Sequence, residues 1–337
     1  MSRPAPTLIT AECFPTPDVV LRSNEPTAQR IVREFADRQA EAALSLHRML
    51  TEVLPTARDI SARATAFSTA FEAAEDWRYR TAVANPHPSG RYDAASAEQF
   101  RTPITDDNPN LFRIGEHERF RDGATWDPAT RTYLGGAETP ASRTMRRIAA
   151  LITERFTQWP GVDVVCNRVT LPDGHGQAAH GMRLLRGSAA HNAAAVMVAR
   201  VAARGGDTSR IVTDGQLVYS ASSPETDRRA IFRSAMTLLA QDHRTPAAAL
   251  TAWLQAAYLL YQAPRTKRGS DAATRTFLIA AGTHLLSRPP VLLHDVDLRA
   301  YVQPQDHFMT ELRAAQTGVQ RMPSRETSRQ RDTATHA

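Results

Sequence analysis

Residues 245–286 read TPAAALTAWLQAAYLLYQAPRTKRGSDAATRTFLIAAGTHLL, and they decide the fold class. From Thr245 to Tyr261 the apolar residues recur at intervals of three and four, a spacing that is typical of an α-helix. Pro264 ends this helix, and the pattern that follows predicts a second helix from Ser270 to Leu286. The stretch therefore predicts two consecutive helices that are joined by a short basic loop.

The rest of the chain adds further helices and a little β-structure. The same periodicity predicts helices at Thr27–Leu54, Arg58 to about Trp77, Ser142 to about Trp159, and Pro224–Gln241. Residues 162–171 are rich in β-branched side chains and predict a short strand, and MRLLRG (182–187) leads into a helix that is capped near Ser188. Asp214-Gly215 lies between two β-prone runs and predicts a hairpin. We expect a mainly α protein, a helical bundle with a small β-hairpin.

The length of 337 residues allows one large domain or two smaller ones. Residues 85–141 are rich in Pro, Asp, Asn and Gly, and so long an irregular stretch is typical of a functional loop or a domain boundary. We expect four regions, which are a disordered N terminus (1–25), a helical N-terminal region with a long loop (26–135), a helical core (140–315) and a disordered basic tail (316–337).

Composition limits the location and the partners. The chain has no apolar run of membrane-spanning length, prolines where a signal peptide would be apolar, and only two cysteines, so we expect a cytoplasmic protein without a membrane segment. The net charge of +6 is spread along the chain, but the tail carries a local cluster of arginines, at positions 321, 325, 329 and 331. Such a tail would attract an acidic partner in a salt-dependent way.

The loop between the last two predicted helices has the residues of an anion site. It holds Lys267, the only lysine in a chain that otherwise uses arginine. Backbone amides at a helix N terminus attract anions, and basic side chains beside them strengthen the attraction. The residues predicted to bind a phosphate-bearing ligand are Lys267, Arg268, Gly269 and Ser270. The alternative is an ordinary capped helix that follows a solvated basic loop.

The predicted hairpin is followed by a helix and then by the two helices that the basic loop joins. This order of elements resembles the Fic/Doc (Fido) family, whose core is a helix–loop–helix preceded by a β-hairpin flap. The family loop reads His-Pro-Phe-x-Asp/Glu-Gly-Asn-Gly/Lys-Arg-x-x-Arg, and on it Gly269 takes the motif glycine, Ser270 the asparagine and Arg275 the final arginine. The match covers roughly residues 205–310, with the flap at Ile211–Ser220. It implies transfer of AMP or another phosphate-linked group from a nucleotide to a hydroxyl of a small molecule or protein, with magnesium bound to the nucleotide.

Three motif positions differ from the family pattern. The histidine that serves as the general base falls at Pro264, the acidic metal ligand falls at Arg268, and the first motif arginine falls at Ala272. The resemblance then implies either altered chemistry or a non-catalytic interaction module, a pseudoenzyme. In the first case Asp271 replaces the missing acid as base or metal ligand, and Arg275 steadies the transferred group.

Other clusters give weaker alternatives. Three histidines, at positions 175, 180 and 191, lack the spacing of a zinc motif, so no metal site is predicted, although His175, His180 or His243 could supply a proton acceptor. Arg186 and Ser220-Ala221-Ser222 resemble the ADP-ribosyltransferases, but no Glu-x-Glu follows. Asp295 and Asp297 could hold a metal, act as acid and base, or cap the next short helix.

Overall fold

The computed structural model describes residues 9–16, 20–84, 97–172, 178–209 and 211–318. Helices make up 59% of the structure, which confirms the mainly α class. The arginines of the predicted basic tail and His175 lie outside the described residues. Within the described ranges, no helix combines the length and the apolar composition needed to cross a membrane.

The helices are α1 (Pro26–Val53), α2 (Ile60–Ala84), α3 (Pro140–Thr157), α4 (Gly187–Ala202), α5 (Glu225–Ala240), α6 (Pro246–Gln262), α7 (Ser270–Leu286), α8 (Val296–Val302) and α9 (Gln305–Gly318). The strands are β1 (Leu111–Arg113), β2 (Thr125–Asp127), β3 (Thr132–Leu134), β4 (Val164–Thr170), β5 (Ala178–Leu185) and β6 (Tyr219–Ala221). Pro264 separates α6 from α7 as predicted, and α7 has the predicted bounds.

Helices α6 and α7 form the centre of a bundle, and α1, α2 and α5 pack around them. Both central helices are apolar on nearly every face, which is the composition of a helix that is buried all round. Gly282 allows close approach, because a Cβ there would lie 2.5 Å from the Trp253 indole nitrogen, which donates to the Leu278 carbonyl at 2.9 Å. The loop between α6 and α7 is therefore held by a rigid frame.

A four-stranded antiparallel sheet in the order β1-β6-β5-β4 packs beside this bundle, and β2 and β3 form a separate pair. Gln262, at the end of α6, links the two parts of the fold. Its side-chain oxygen accepts from the Met182 amide of β5 at 2.7 Å, and its amide nitrogen donates to the Ala300 carbonyl of α8. A Cβ at Gly181 would lie 2.3 Å from that oxygen, so this part of β5 has no room for a side chain.

The predicted hairpin over Ile211–Ser220 is wrong. Residues 211–218 form no strand, and β6 pairs instead with β1 and β5. The backbone bends at Asp214-Gly215, but Arg131 binds the Asp214 carboxylate and the Ile211 carbonyl. The side chains of Val212 and Leu217 are buried in a small cluster with α4. Packing onto α4 has replaced pairing between the two arms of the turn.

Candidate functional site

A cavity of about 570 Å³ opens at the N-terminal end of α7. Its walls come from the loop 264–269, the start of α7, the segment 294–301, the sheet and the N-terminal end of α3. The predicted residues Lys267, Arg268, Gly269, Ser270 and Asp271 all line it. The fold thus brings the predicted loop to a cavity, together with groups that are distant in sequence.

Gly269 sets the shape of the loop. Its φ of +77° lies in the left-handed region, and a Cβ would come within 2.6 Å of the Phe100 ring and 2.8 Å of Arg78 Cγ. The Thr266 hydroxyl donates to the Arg268 carbonyl at 3.0 Å, and the Ser270 hydroxyl donates to the Thr266 carbonyl at 2.9 Å. The loop therefore closes on itself before the helix begins.

The first turn of α7 has unused backbone donors, and two of its residues, Ser270 and Asp271, line the cavity. In the described part of the chain, no hydrogen bond is donated by the backbone amides of residues 270–272, and the helix has no side-chain cap. Two arginines from outside the loop also line the cavity. Arg78 of α2 lies over the Phe100 ring at 4.2 Å, and Arg22 lies over the Phe120 ring at 4.5 Å. The wall around α7 is therefore rich in positive charge and N–H groups.

Lys267 ties this loop to residues 98–110. Its ammonium donates to the carbonyls of Asn108 at 3.1 Å and Pro109 at 2.8 Å, and its amide donates to the Thr102 carbonyl at 3.0 Å. Burial, followed by the nearby charges of Arg200, Arg204 and Arg228, lowers the pKa of the Lys267 ammonium to about 8. An arginine could not become neutral in this way, because guanidinium stays charged at all ordinary pH values.

Arg275 lies one turn into α7 and is only 2% exposed. Its Nε donates to both oxygens of Asp271, at 2.8 and 3.0 Å, and its two terminal nitrogens donate to the carbonyls of Leu293 and His294 at 2.9 and 2.7 Å. Burial opposes the charge of Arg275, but Asp271 and other acidic neighbours outweigh it and raise its pKa. Arg275 does not line the cavity and acts on it through the groups that it holds.

Asp297 is the second carboxylate near Arg275. Its Oδ1 lies 3.4 Å from a terminal nitrogen of Arg275, and its side chain is 21% exposed and lines the cavity. Burial, followed by repulsion from Asp271, raises the pKa of Asp297 to about 7. Two phenols complete the cluster. The buried Tyr261 donates to Asp271 Oδ1 at 3.2 Å, and desolvation raises the pKa of Tyr301, which lines the cavity, well above its ordinary value.

Sequence reasoning placed Asp297 in a carboxylate pair but did not connect it with the loop. Arg22, Arg78, His294 and Tyr301 also line the cavity and were not predicted. The connection depends on Arg275, whose bonds to the carbonyls of residues 293 and 294 bring the segment before α8 against α7. No spacing in the sequence could reveal that contact.

The other candidate residues lie elsewhere or have structural partners. His180 lies 3.3 Å from Asp227, His191 Nε2 lies 3.2 Å from the Gly215 carbonyl, and His243 lines a different cavity. Arg186 donates to the carbonyls of Val162 and Trp159, at 2.8 and 3.2 Å. None of these four residues lines the cavity at α7.

Of the roles considered for Asp295, a side-chain cap on the next helix is wrong. Asp295 stands at the N-cap position of α8, and Oδ1 accepts from Arg299 Nε at 2.8 Å instead. Arg299 therefore binds the oxygen that would otherwise accept from the backbone amides at the start of α8.

The arginines near this cavity engage most of its carboxylates. Among the residues that the structure describes, no group of three or more His, Cys, Asp or Glu side chains could hold a metal. Arg275 occupies both oxygens of Asp271, and Arg299 occupies one oxygen of Asp295. We therefore derive no chemical step through a metal.

No protein-family model matches the chain, and a comparison with curated proteins finds no significant similarity. The resemblance to the Fic/Doc family stays a prediction that rests on the loop motif.

Proposed function

We propose that this protein binds a phosphate-bearing ligand, a nucleotide or a phosphorylated metabolite, in the cavity at the start of α7. The observation that carries the proposal is that Lys267, Arg268 and Arg78 share one cavity with Ser270 and Asp271, whose backbone amides donate no hydrogen bond within the described part of the chain. Helix N termini and arginines are the groups with which proteins commonly bind phosphate. A volume of about 570 Å³ is in the range of small-molecule sites.

We further propose transfer of a phosphate-linked group as the activity. The hydroxyl oxygen of an acceptor would attack phosphorus, the bond from phosphorus to the leaving phosphate would break, and the hydroxyl proton would pass to a carboxylate. Asp271 stays the predicted base, because it lies in the same cavity as the cations that would stabilise the leaving group. Arg275 has a positioning role, since it holds Asp271 through both carboxylate oxygens.

A divergent Fic-like core is also part of this proposal. It is supported by the buried pair α6–α7, the left-handed glycine between them and the arginine one turn into α7. A binding-only module is the rival. Such a protein would need the cations of the cavity but no general base.

A thermal-shift series tests this function. The purified protein is heated with ATP, GTP, CTP, NAD and ribose 5-phosphate, each with and without magnesium. A ligand at a hundred times its Kd stabilises a protein by about 2.7 kcal/mol, a shift of several degrees. We expect a shift with at least one phosphate-bearing compound and none with its dephosphorylated form. A flat panel, or equal shifts for both forms, would count against a phosphate site.

Transfer is then tested with the nucleotide that gives the shift, by following the release of its leaving phosphate in the presence of hydroxyl acceptors. Release that is lost in Asp271→Asn, while the thermal shift is kept, supports the enzyme. Binding without any release supports the binding-only module.

A further inference from the structure

We propose that Asp297 accepts a hydrogen bond from a hydroxyl group of the ligand, so that the cavity selects phosphate esters that also carry hydroxyl groups. This inference rests on the proposed function and assigns the second end of the same ligand. The cations around the start of α7 take the phosphate, and Asp297 on the facing segment takes the hydroxyl.

The first argument is the incomplete satisfaction of the Asp297 carboxylate. Arg275 gives its short hydrogen bonds to Asp271 and to the carbonyls of residues 293 and 294, and reaches Asp297 only at 3.4 Å. An ionised carboxylate offers about four acceptor positions. Since the Asp297 side chain lines the cavity and is 21% exposed, its remaining acceptor positions can be reached by a ligand.

The second argument is the charge around Asp297. The groups that face it are Asp271 and Arg275 of α7, Tyr261 of α6, and Asp295 and Tyr301 of its own segment. Arg299 takes up one oxygen of Asp295, and Arg275 is shared between Asp271 and Asp297, which also accepts from the Leu298 backbone amide. One guanidinium is thus divided between two carboxylates, and a ligand hydroxyl would give Asp297 a further donor without adding charge to the cluster.

The third argument is pH. Burial and Asp271 raise the pKa of Asp297 to about 7, so the carboxylate ionises within the range in which the protein can be studied. The ionised form is the stronger acceptor, because charge-assisted hydrogen bonds are about twice as strong as neutral ones. Preference for a hydroxyl-bearing ligand should therefore increase as the pH rises through 7.

The experiment compares two probes that share a phosphate. Ribose 5-phosphate carries hydroxyl groups and butyl phosphate carries none, and the ratio of their Kd values is measured by calorimetry at pH 8.5 and at pH 5.5. A hydrogen bond to a charged group is worth about a 10- to 100-fold change in affinity. We expect the wild-type protein to prefer ribose 5-phosphate at least tenfold at pH 8.5 and less at pH 5.5.

Asp297→Asn is nearly the same size and should reduce this ratio to about one at both pH values. Asp306→Asn is the control, because Asp306 is an exposed carboxylate on α9 that does not line the cavity, and it should leave the ratio unchanged. If Asp297→Asn does not fold, the pH dependence of the wild-type ratio decides instead.

The two proposals fail differently. If butyl phosphate binds but the ratio is near one, or the ratio survives in Asp297→Asn, the role of Asp297 is overturned and the phosphate site stands. If neither probe binds, both proposals fall.

Discussion

Arg275 Nε donates to both carboxylate oxygens of Asp271, at 2.8 and 3.0 Å, while a terminal nitrogen of the same guanidinium lies 3.4 Å from Asp297. One buried cation thus holds two carboxylates that line the cavity. The arrangement fixes the segment before α8 against the start of α7, and it ties the geometry of the candidate site to the stability of the fold.

Replacement of Arg275 by methionine should be strongly destabilising. It removes the cation but leaves Asp271 and Asp297 facing each other, and breaking a buried ion pair in this way costs about 3–5 kcal/mol. Urea denaturation measures the loss. The double variant Arg275→Met, Asp297→Asn should recover part of it, because one of the two uncompensated charges is gone. A loss below about 1 kcal/mol would show that this network does not hold the site together.

Gly269→Ala should destabilise the fold and displace the loop. A non-glycine residue in the left-handed region costs about 1–3 kcal/mol, and here its Cβ would also overlap Phe100 and Arg78. Gly205→Ala is a matched control, since Gly205 has a φ of +68° but nothing within 4 Å of its Cβ position. Thermal unfolding should give a clearly lower Tm for Gly269→Ala than for Gly205→Ala. Equal Tm values would mean that the close contacts at Gly269 are absent.

Lys267 should titrate well below an ordinary lysine, with a pKa of about 8, because burial and three arginines disfavour its ammonium. Since the chain has one lysine, reductive methylation with ¹³C-formaldehyde labels only Lys267 and the amino terminus. NMR titration then gives the midpoint directly, and Lys267→Arg identifies the signal. A midpoint above 10 would contradict the position of Lys267 among the arginines.

The sequence predicts most of the bundle and only part of the site. The helical period places α6 and α7 well, because both have long apolar patterns and clear end signals at Thr245, Pro264 and Gly269. The loop residues follow from local chemistry. The hairpin at Asp214-Gly215 fails because tertiary packing of Val212 and Leu217 onto α4 overrides a local turn preference. Asp297 joins the site through Arg275, a contact between residues that are 22 positions apart and have no periodic relation.

The central claim is that the cavity at the start of α7 binds phosphate, and calorimetric titration with inorganic pyrophosphate tests it most directly. Arg268→Met removes one positive charge from the cavity, and Arg233→Met removes one from the exposed face of α5. We predict binding by the wild-type protein and by Arg233→Met with equal affinity, and at least tenfold weaker binding by Arg268→Met, since one charged hydrogen bond is worth about 1.5–3 kcal/mol. No binding by the wild-type protein, or the same loss in both variants, would contradict the claim.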